Sequence, residues 1–305
     1  MYIGIDIGGT NLKSAIVDGD ANIIERNSER TNLVRENFVS QIINIIFNYL
    51  EQHPEINDVG IGIPGILNDE GTLIVSPNLT GLTGINLKEE IGKYFNLNIY
   101  IENDSNAASI GELLVGSAKD LKSFIYITLG TGVGGTIIHE RKIFKGVNGG
   151  AGEIGHIKIC CNKNYIENYQ TNTLESLVAR QVIIDRFKIL IEKDESPEDE
   201  IDVEKISEIA DCGNQLAIQT LEETAYYLGL GIAGTINLLD IPNIILGGGI
   251  SQTSEIFYSY LSEVITNHLL PNLKTQFQLR KSILKGDSGI IGAAFLRRYF
   301  EENYD

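Results

Sequence analysis

The chain has 305 residues, 43% apolar and 21% charged, with a net charge of −17; this is the balance of a soluble globular protein with room for two cores. That charge excludes nucleic acid and anionic membrane surfaces as partners, since both would repel it in the absence of a basic stripe. Three cysteines, of which Cys160 and Cys161 are adjacent, make no disulfide framework and point to a reducing cytoplasm. The N-terminus has no basic region leading into an apolar run, and nowhere do 18 apolar residues follow one another, so neither a signal peptide nor a membrane span is expected.

In chain order, Tyr2–Asp6 reads as a strand, Gly8–Gly9 as a turn and Leu12–Val17 as a second strand. Phe38, Ile42, Ile45, Ile46 and Tyr49 recur at helical spacing within 36–52, and His53–Pro54 ends that helix. Val59–Ile63 is a buried strand stopping at Pro64–Gly65, Leu87–Phe95 is helical, and strand Ile99–Glu102 leads directly into a helix from Asp104 to Leu114. The second half opens with strand Phe124–Leu129, a glycine turn and strand Thr136–His139, followed by a loop-rich stretch over 145–172 and a helix from Leu174 to Glu192. Glu192–Asp202 carries seven acidic residues and a proline and reads as a solvated linker. A long helix over 215–238 includes Gly229, Gly231, Ala233 and Gly234, suited to close packing. Ile244–Leu246 is a buried strand running into Gly247–Gly248–Gly249, and a helix over Gly289–Phe300 closes the chain.

Strand–turn–strand at the start is unlike a dinucleotide-binding fingerprint, whose turn feeds a helix, and no GxxxxGK[ST] occurs. In Asp6–Ile7–Gly8–Gly9–Thr10–Asn11 two glycines allow backbone N–H groups to face an anion, Thr10 adds a hydroxyl, and Asp6 suits magnesium; an ordinary hairpin with a satisfied Asp fits the same residues. Leu129–Gly130–Thr131–Gly132–Val133–Gly134–Gly135 repeats the device, with alternating glycines that a packed strand would not choose. Gly247–Gly248–Gly249 offers bare backbone to an adenine or ribose, or is a plain strand-to-helix turn. Asp104 reads either as a helix N-cap or as a general base accepting the proton of an attacking hydroxyl. Glu153 and His156, in Glu153–Ile154–Gly155–His156, could hydrogen-bond vicinal hydroxyls or be structural.

Together DIGGT, END, GTGVGG, GGAGE, IGH and GGGIS, in this order and spacing across nearly the whole chain, resemble the ROK family of sugar kinases and transcriptional repressors. The resemblance implies an α/β, two-domain actin-like ATPase (ribonuclease H-like) fold with an active-site cleft between the domains. Residues 1–104 plus about 289–305 are expected to form the smaller domain and 105–288 the larger, with hinges near Asn103–Ala107 and Gly286–Ile290 and closure on sugar binding. By the same resemblance Asp6, Gly8, Gly9, Thr10 and Asn11 make the first phosphate site, Thr131 and Gly132 the second, and Gly248 and Gly249 lie by the adenosine. Asp104 becomes the catalytic base with Asn103 beside it; Gly65, in IGIPG, and Asn78, in SPNL, match positions that contact the sugar ring, and Glu153 and His156 match residues that bind its hydroxyls.

The implied cofactors are ATP and Mg2+, the implied reaction phosphorylation of a hexose, glucokinase-like and at the 6-hydroxyl, and the expected assembly a cytoplasmic homodimer. Family kinases usually follow the GH pair with C-x-C-G-x-x-G-C-x-E, which holds a structural zinc. Here Ile157 to Glu175 contains only Cys160 and Cys161, a spacing that cannot supply those ligands, so no zinc is expected. The same change leaves the last sugar-binding glutamate open: the distance from His156 gives Glu175, whereas the local pattern Ile166–Glu167–Asn168–Tyr169 favours Glu167, with Glu175 explained as a carboxylate in the first turn of a helix. SPNL and EIGH resemble the glucokinases of the family; N-acetylmannosamine, fructose, allose and a β-glucoside are the alternative substrates. A repressor would need a DNA-binding segment ahead of the first turn, and Asp6 stands too near the start for one. A non-catalytic sugar sensor fits poorly with Asp104 and both phosphate turns in place.

Overall fold

The computed structural model describes residues 1–68, 70–76, 79–159, 172–191 and 201–304. In chain order the elements are β1 (Tyr2–Ile7), β2 (Asn11–Val17), β3 (Ile23–Arg30), α1 (Arg35–Gln52), β4 (Asp58–Ile63), β5 (Ile66–Leu67), β6 (Leu73–Val75), α2 (Leu87–Gly92), β7 (Asn98–Asn103), α3 (Asp104–Leu114), β8 (Phe124–Leu129), β9 (Val133–His139) and β10 (Lys142–Ile143). They continue with α4 (Glu175–Val178), α5 (Arg180–Ile191), α6 (Val203–Asp211), α7 (Gln215–Leu239), β11 (Asn243–Gly247), α8 (Glu255–His268), α9 (Pro271–Lys274), β12 (Gln278–Lys281), α10 (Ser288–Ala294) and α11 (Leu296–Tyr304). No helix among the described residues is long and apolar enough to cross a membrane.

One sheet has the order β3-β2-β1-β4-β7 and the other β10-β9-β8-β11-β12. In each, a hairpin of neighbouring strands is extended by parallel strands on the far side of its first strand: β1 pairs antiparallel with β2 and parallel with β4, and β8 pairs parallel with β11. The two sheets are therefore copies of one topology, and each carries a glycine turn between its first two strands.

The chain divides into two compact units, Met1–Lys122 with Ile138–Ala151 and Gly286–Asp305, and Ser123–Ile137 with Gly152–Lys285. The first boundary thus differs from the one expected after Asp104: α3 belongs to the first unit. The reason is glycine packing. A side chain on Gly292 of α10 would run into the Ala107 carbonyl of α3, and one on Gly60 of β4 into the Ala293 carbonyl of α10, so sheet, α3 and α10 pack backbone to backbone. Passage between the units near Gly286 lies close to the expected second hinge; the residues 103–107 lie inside the first unit.

The first core gathers Ile3, Ile5 and Ile7 with Phe38, Ile42 and Ile46 from α1; the second packs Ile125 and Ile127 against Leu228 and Ile232 of α7 and Phe257 of α8. In α7, Gly229 does face Val264 of α8, and Gly231 faces Leu174, Ile157 and Ile159, whereas Gly234 meets open space. Burying these side chains yields about 25 cal/mol per Å2 of apolar surface, which makes the two cores the main source of stability.

Two expected helices are broken. The segment read as Leu174 to Glu192 is interrupted at Ala179, whose backbone is extended, because the Arg180 N–H donates to Gly130 O at 2.9 Å. The closing helix is interrupted at Phe295 between α10 and α11. In α11 the Tyr299 hydroxyl oxygen accepts the Ile143 N–H of β10 at 2.8 Å.

Candidate active site

In the first unit, the turn after β1 closes through the Gly8 N–H donating to Asn11 O at 2.9 Å. The start of the segment after β3 fastens it: the Thr31 hydroxyl donates to Gly8 O at 2.7 Å and the Thr31 N–H to Thr10 O at 3.0 Å. Gly9, Thr10 and Asn11 remain exposed at its tip. Asp6 lies below, where a Cβ on Gly289 would come within 2.6 Å of its carboxyl, so the glycine is required for the carboxylate to sit there. Desolvation in that seat pushes the Asp6 carboxyl up to about 6, with Lys13 opposing the shift.

Gly62 of β4 brings Asp6 and Asp104 together. A Cβ built on Gly62 would lie 3.4 Å from the Asp104 Cα and 3.9 Å from Asp6 Oδ1, so both residues border the same glycine. Asp104 is the first residue of α3 but not its cap. That role belongs to Asn103, whose side chain accepts the Asn106 N–H at 3.1 Å and donates to Gly65 O at 3.0 Å. Gly65 has φ +131°, and a side chain on it would strike the Val75 carbonyl. Asn103 and Gly65 are therefore hydrogen-bonded to each other, with Asp104 next in the chain.

In the second unit, the turn after β8 is held by the Gly130 N–H donating to Gly132 O at 3.0 Å, with Thr131 exposed at its tip. Gly248, at φ +83°, abuts the end of β8, where a side chain would collide with Leu129 O; Gly249 beside it meets nothing. Gly155 packs on Val133 of β9 and thereby sets the Ile154–His156 turn against the strand. His156 Nε2 is 3.7 Å from Glu153 Oε2. Local desolvation raises the Glu153 carboxyl above its ordinary value even though half of the side chain is open to solvent; His156 opposes the rise and Glu175 adds to it. Glu175, the first residue of α4, accepts the Val133 N–H through Oε2 at 2.8 Å. Glu153, His156 and Glu175 are thus brought together beside the second turn.

Asn78, Glu167, Cys160 and Cys161 lie outside the described residues, as does most of the acidic linker. The Ile159 N–H donates to Asn172 O at 3.0 Å and the Leu174 N–H to Ile157 O at 2.9 Å.

Glu102 was overlooked in the sequence. It is 3% exposed; Oε1 accepts the Asn103 N–H at 2.9 Å and the Asn106 amide at 3.0 Å, and Oε2 accepts the Lys145 ammonium at 2.8 Å. The available signal was a carboxylate closing an otherwise apolar strand. Glu102→Gln keeps one acceptor but loses the charged pair; because Lys145 is half exposed and regains water, the expected cost is about 1–2 kcal/mol. Urea unfolding measures it, and a variant as stable as wild type would show that the Lys145 contact contributes nothing.

The chain is similar to known proteins over nearly its whole length. A glucokinase of Halalkalibacterium halodurans is 27% identical over 100% of this chain and 97% of its own length, and a glucokinase of Streptomyces coelicolor is 31% identical over 98% of each. The crystal structure of a ROK family glucokinase from Streptomyces griseus in complex with glucose and AMPPNP matches with a TM-score of 0.85 at 28% identity, covering 97% of this chain and 99% of that one. The fold is accordingly that of the two-domain actin-like ATPases. The ROK family model matches residues 2–299, and with the glycine turns, the Asp104 corner and the Glu153–His156 turn all in family order, the chain belongs to the ROK family.

Proposed function

We propose that the protein is an ATP-dependent glucokinase that phosphorylates the 6-hydroxyl of glucose, with Asp104 as general base. The observation that carries this reading is the place of Asp104 directly after β7, bordering the same Gly62 as Asp6, with Asn103 serving as the helix cap. Asp104 accepts the hydroxyl proton as the sugar oxygen bonds to the γ-phosphorus and the bond to the ADP oxygen breaks. Asn103, Glu153, His156 and Glu175 bind and orient the sugar; Glu175 takes this role on the strength of its place beside Glu153. The exposed tips at Gly9–Thr10 and Thr131 offer N–H and hydroxyl donors to the phosphates, and the open backbone at Gly249 suits the adenosine.

Asp6 fits magnesium. Among the described residues no group of three His, Cys, Asp or Glu is arranged to hold a metal. A single carboxylate completed by phosphate oxygens and water is the pattern magnesium accepts. Bound there, the ion would neutralise charge on the transferring phosphoryl group.

A coupled ADP-release assay across glucose, N-acetylmannosamine, fructose, allose and a β-glucoside tests the reading. Glucose is expected to give the highest kcat/KM, EDTA to stop turnover, and magnesium alone to restore it. No sugar-dependent ADP release from any member of the panel would sink the proposal.

A further inference from the structure

Glu175 occupies a position with two faces. Its Oε2 accepts the Val133 N–H at 2.8 Å, where the second glycine turn enters β9, and it lies so close over Gly132 that any side chain there would collide with it. Gly130, at the other end of the turn, gives its carbonyl to the Arg180 N–H at 2.9 Å. The turn is therefore pinned at both ends by the short segment that begins with Glu175. The same carboxylate acts electrostatically on Glu153, the residue assigned to the sugar.

A backbone N–H in a glycine turn is what a nucleotide phosphate requires, and a carboxylate seated on that N–H is a competing anion. Resting on the kinase reading above, we infer that Glu175 couples the two substrates: without sugar it puts negative charge against the phosphate turn, and a sugar hydroxyl donating to it relieves this. Glu175 acts on the nucleotide through the turn, as a positioning residue. A donor from the sugar spreads the carboxylate charge and weakens its hold on Val133, so the nucleotide binds more tightly once the sugar is in place. Linkage requires the converse, tighter sugar binding in the presence of nucleotide.

The test is calorimetric titration of magnesium–AMPPNP into the full-length protein, with and without saturating glucose. Wild type is expected to bind AMPPNP about fivefold or more tightly with glucose present. Glu175→Gln keeps an acceptor for the Val133 N–H and removes only the charge; it should bind AMPPNP without sugar about as tightly as wild type does with it. A purely structural role predicts the opposite sign, because a loosened turn binds phosphate less well. Glu175→Asp, which retains the charge but is too short to stay on Val133, should tighten sugar-free binding too. Unchanged or weaker sugar-free binding by both variants, from a wild type that phosphorylates glucose, overturns the coupling and leaves the kinase reading standing. No AMPPNP binding to any of the three proteins overturns both.

Discussion

Asp104→Asn is expected to lower kcat by about 10²–10⁴ while the sugar KM stays nearly constant, the loss typical of removing a general base. The structure makes this substitution clean. The Ser105 N–H donates to Asp104 Oδ1 at 2.9 Å, and an asparagine retains that oxygen. Because Asn103 rather than Asp104 caps α3, the helix start loses only a first-turn negative charge, about 0.3–1 kcal/mol. Steady-state kinetics with glucose and a melting curve check both halves: kcat within about threefold of wild type would remove Asp104 from the role of base.

The second large effect concerns Asp6, where function and stability oppose each other. Its folded-state value of about 6 stands above the ordinary 3.8, so the folded chain binds the proton more tightly than the unfolded one. Stability is therefore full below pH 4, falls as pH rises from about 4 to about 6, and stays reduced above that by about 2–3 kcal/mol. Asp6→Asn carries no such charge. In EDTA-treated, nucleotide-free protein, its Tm should match wild type near pH 4 and exceed it by roughly 4–8 °C at pH 8, while turnover with magnesium–ATP is lost. A variant whose Tm tracks wild type at both pH values would show that burying this carboxylate costs nothing. A desolvated carboxylate held against Gly289 at a cost in stability is the usual form of a trade between activity and stability.

What could be read from the chain alone divides by distance along it. The two glycine hairpins, α1, α3 and α7 rest on local spacing, and their residues announced them. Strand β3 was missed because its pattern, Ile23–Arg30, buries almost nothing, so the alternation of polar and apolar residues that marks a half-buried strand is absent. The break at Ala179 depends on the Gly130 carbonyl, and the importance of Glu102 depends on Lys145, 43 residues on; no local pattern encodes either partner. Asp104 was legible as a carboxylate at a strand end, but that Asn103 is the cap of the helix emerged only with its side chain in place. The contest between Glu167 and Glu175 turned on loop register. Placement of Glu175 on Val133 gives it a partner in the phosphate turn as well as a neighbour in Glu153, which its position in a first helical turn did not suggest.

A sheet that ends in open backbone is a template on which another chain can polymerise, and two of the four outermost strands of the five-stranded sheets answer this hazard differently. β3 presents alternating charges, Glu25 with Arg26 and Glu29 with Arg30, to the solvent, a surface on which an incoming strand would have to bury ions. β10 is only two residues long, and its Ile143 N–H is already occupied by the Tyr299 hydroxyl. A phenol supplied by the last helix thus acts as a stopper on that edge, taking up a donor that an added strand would need.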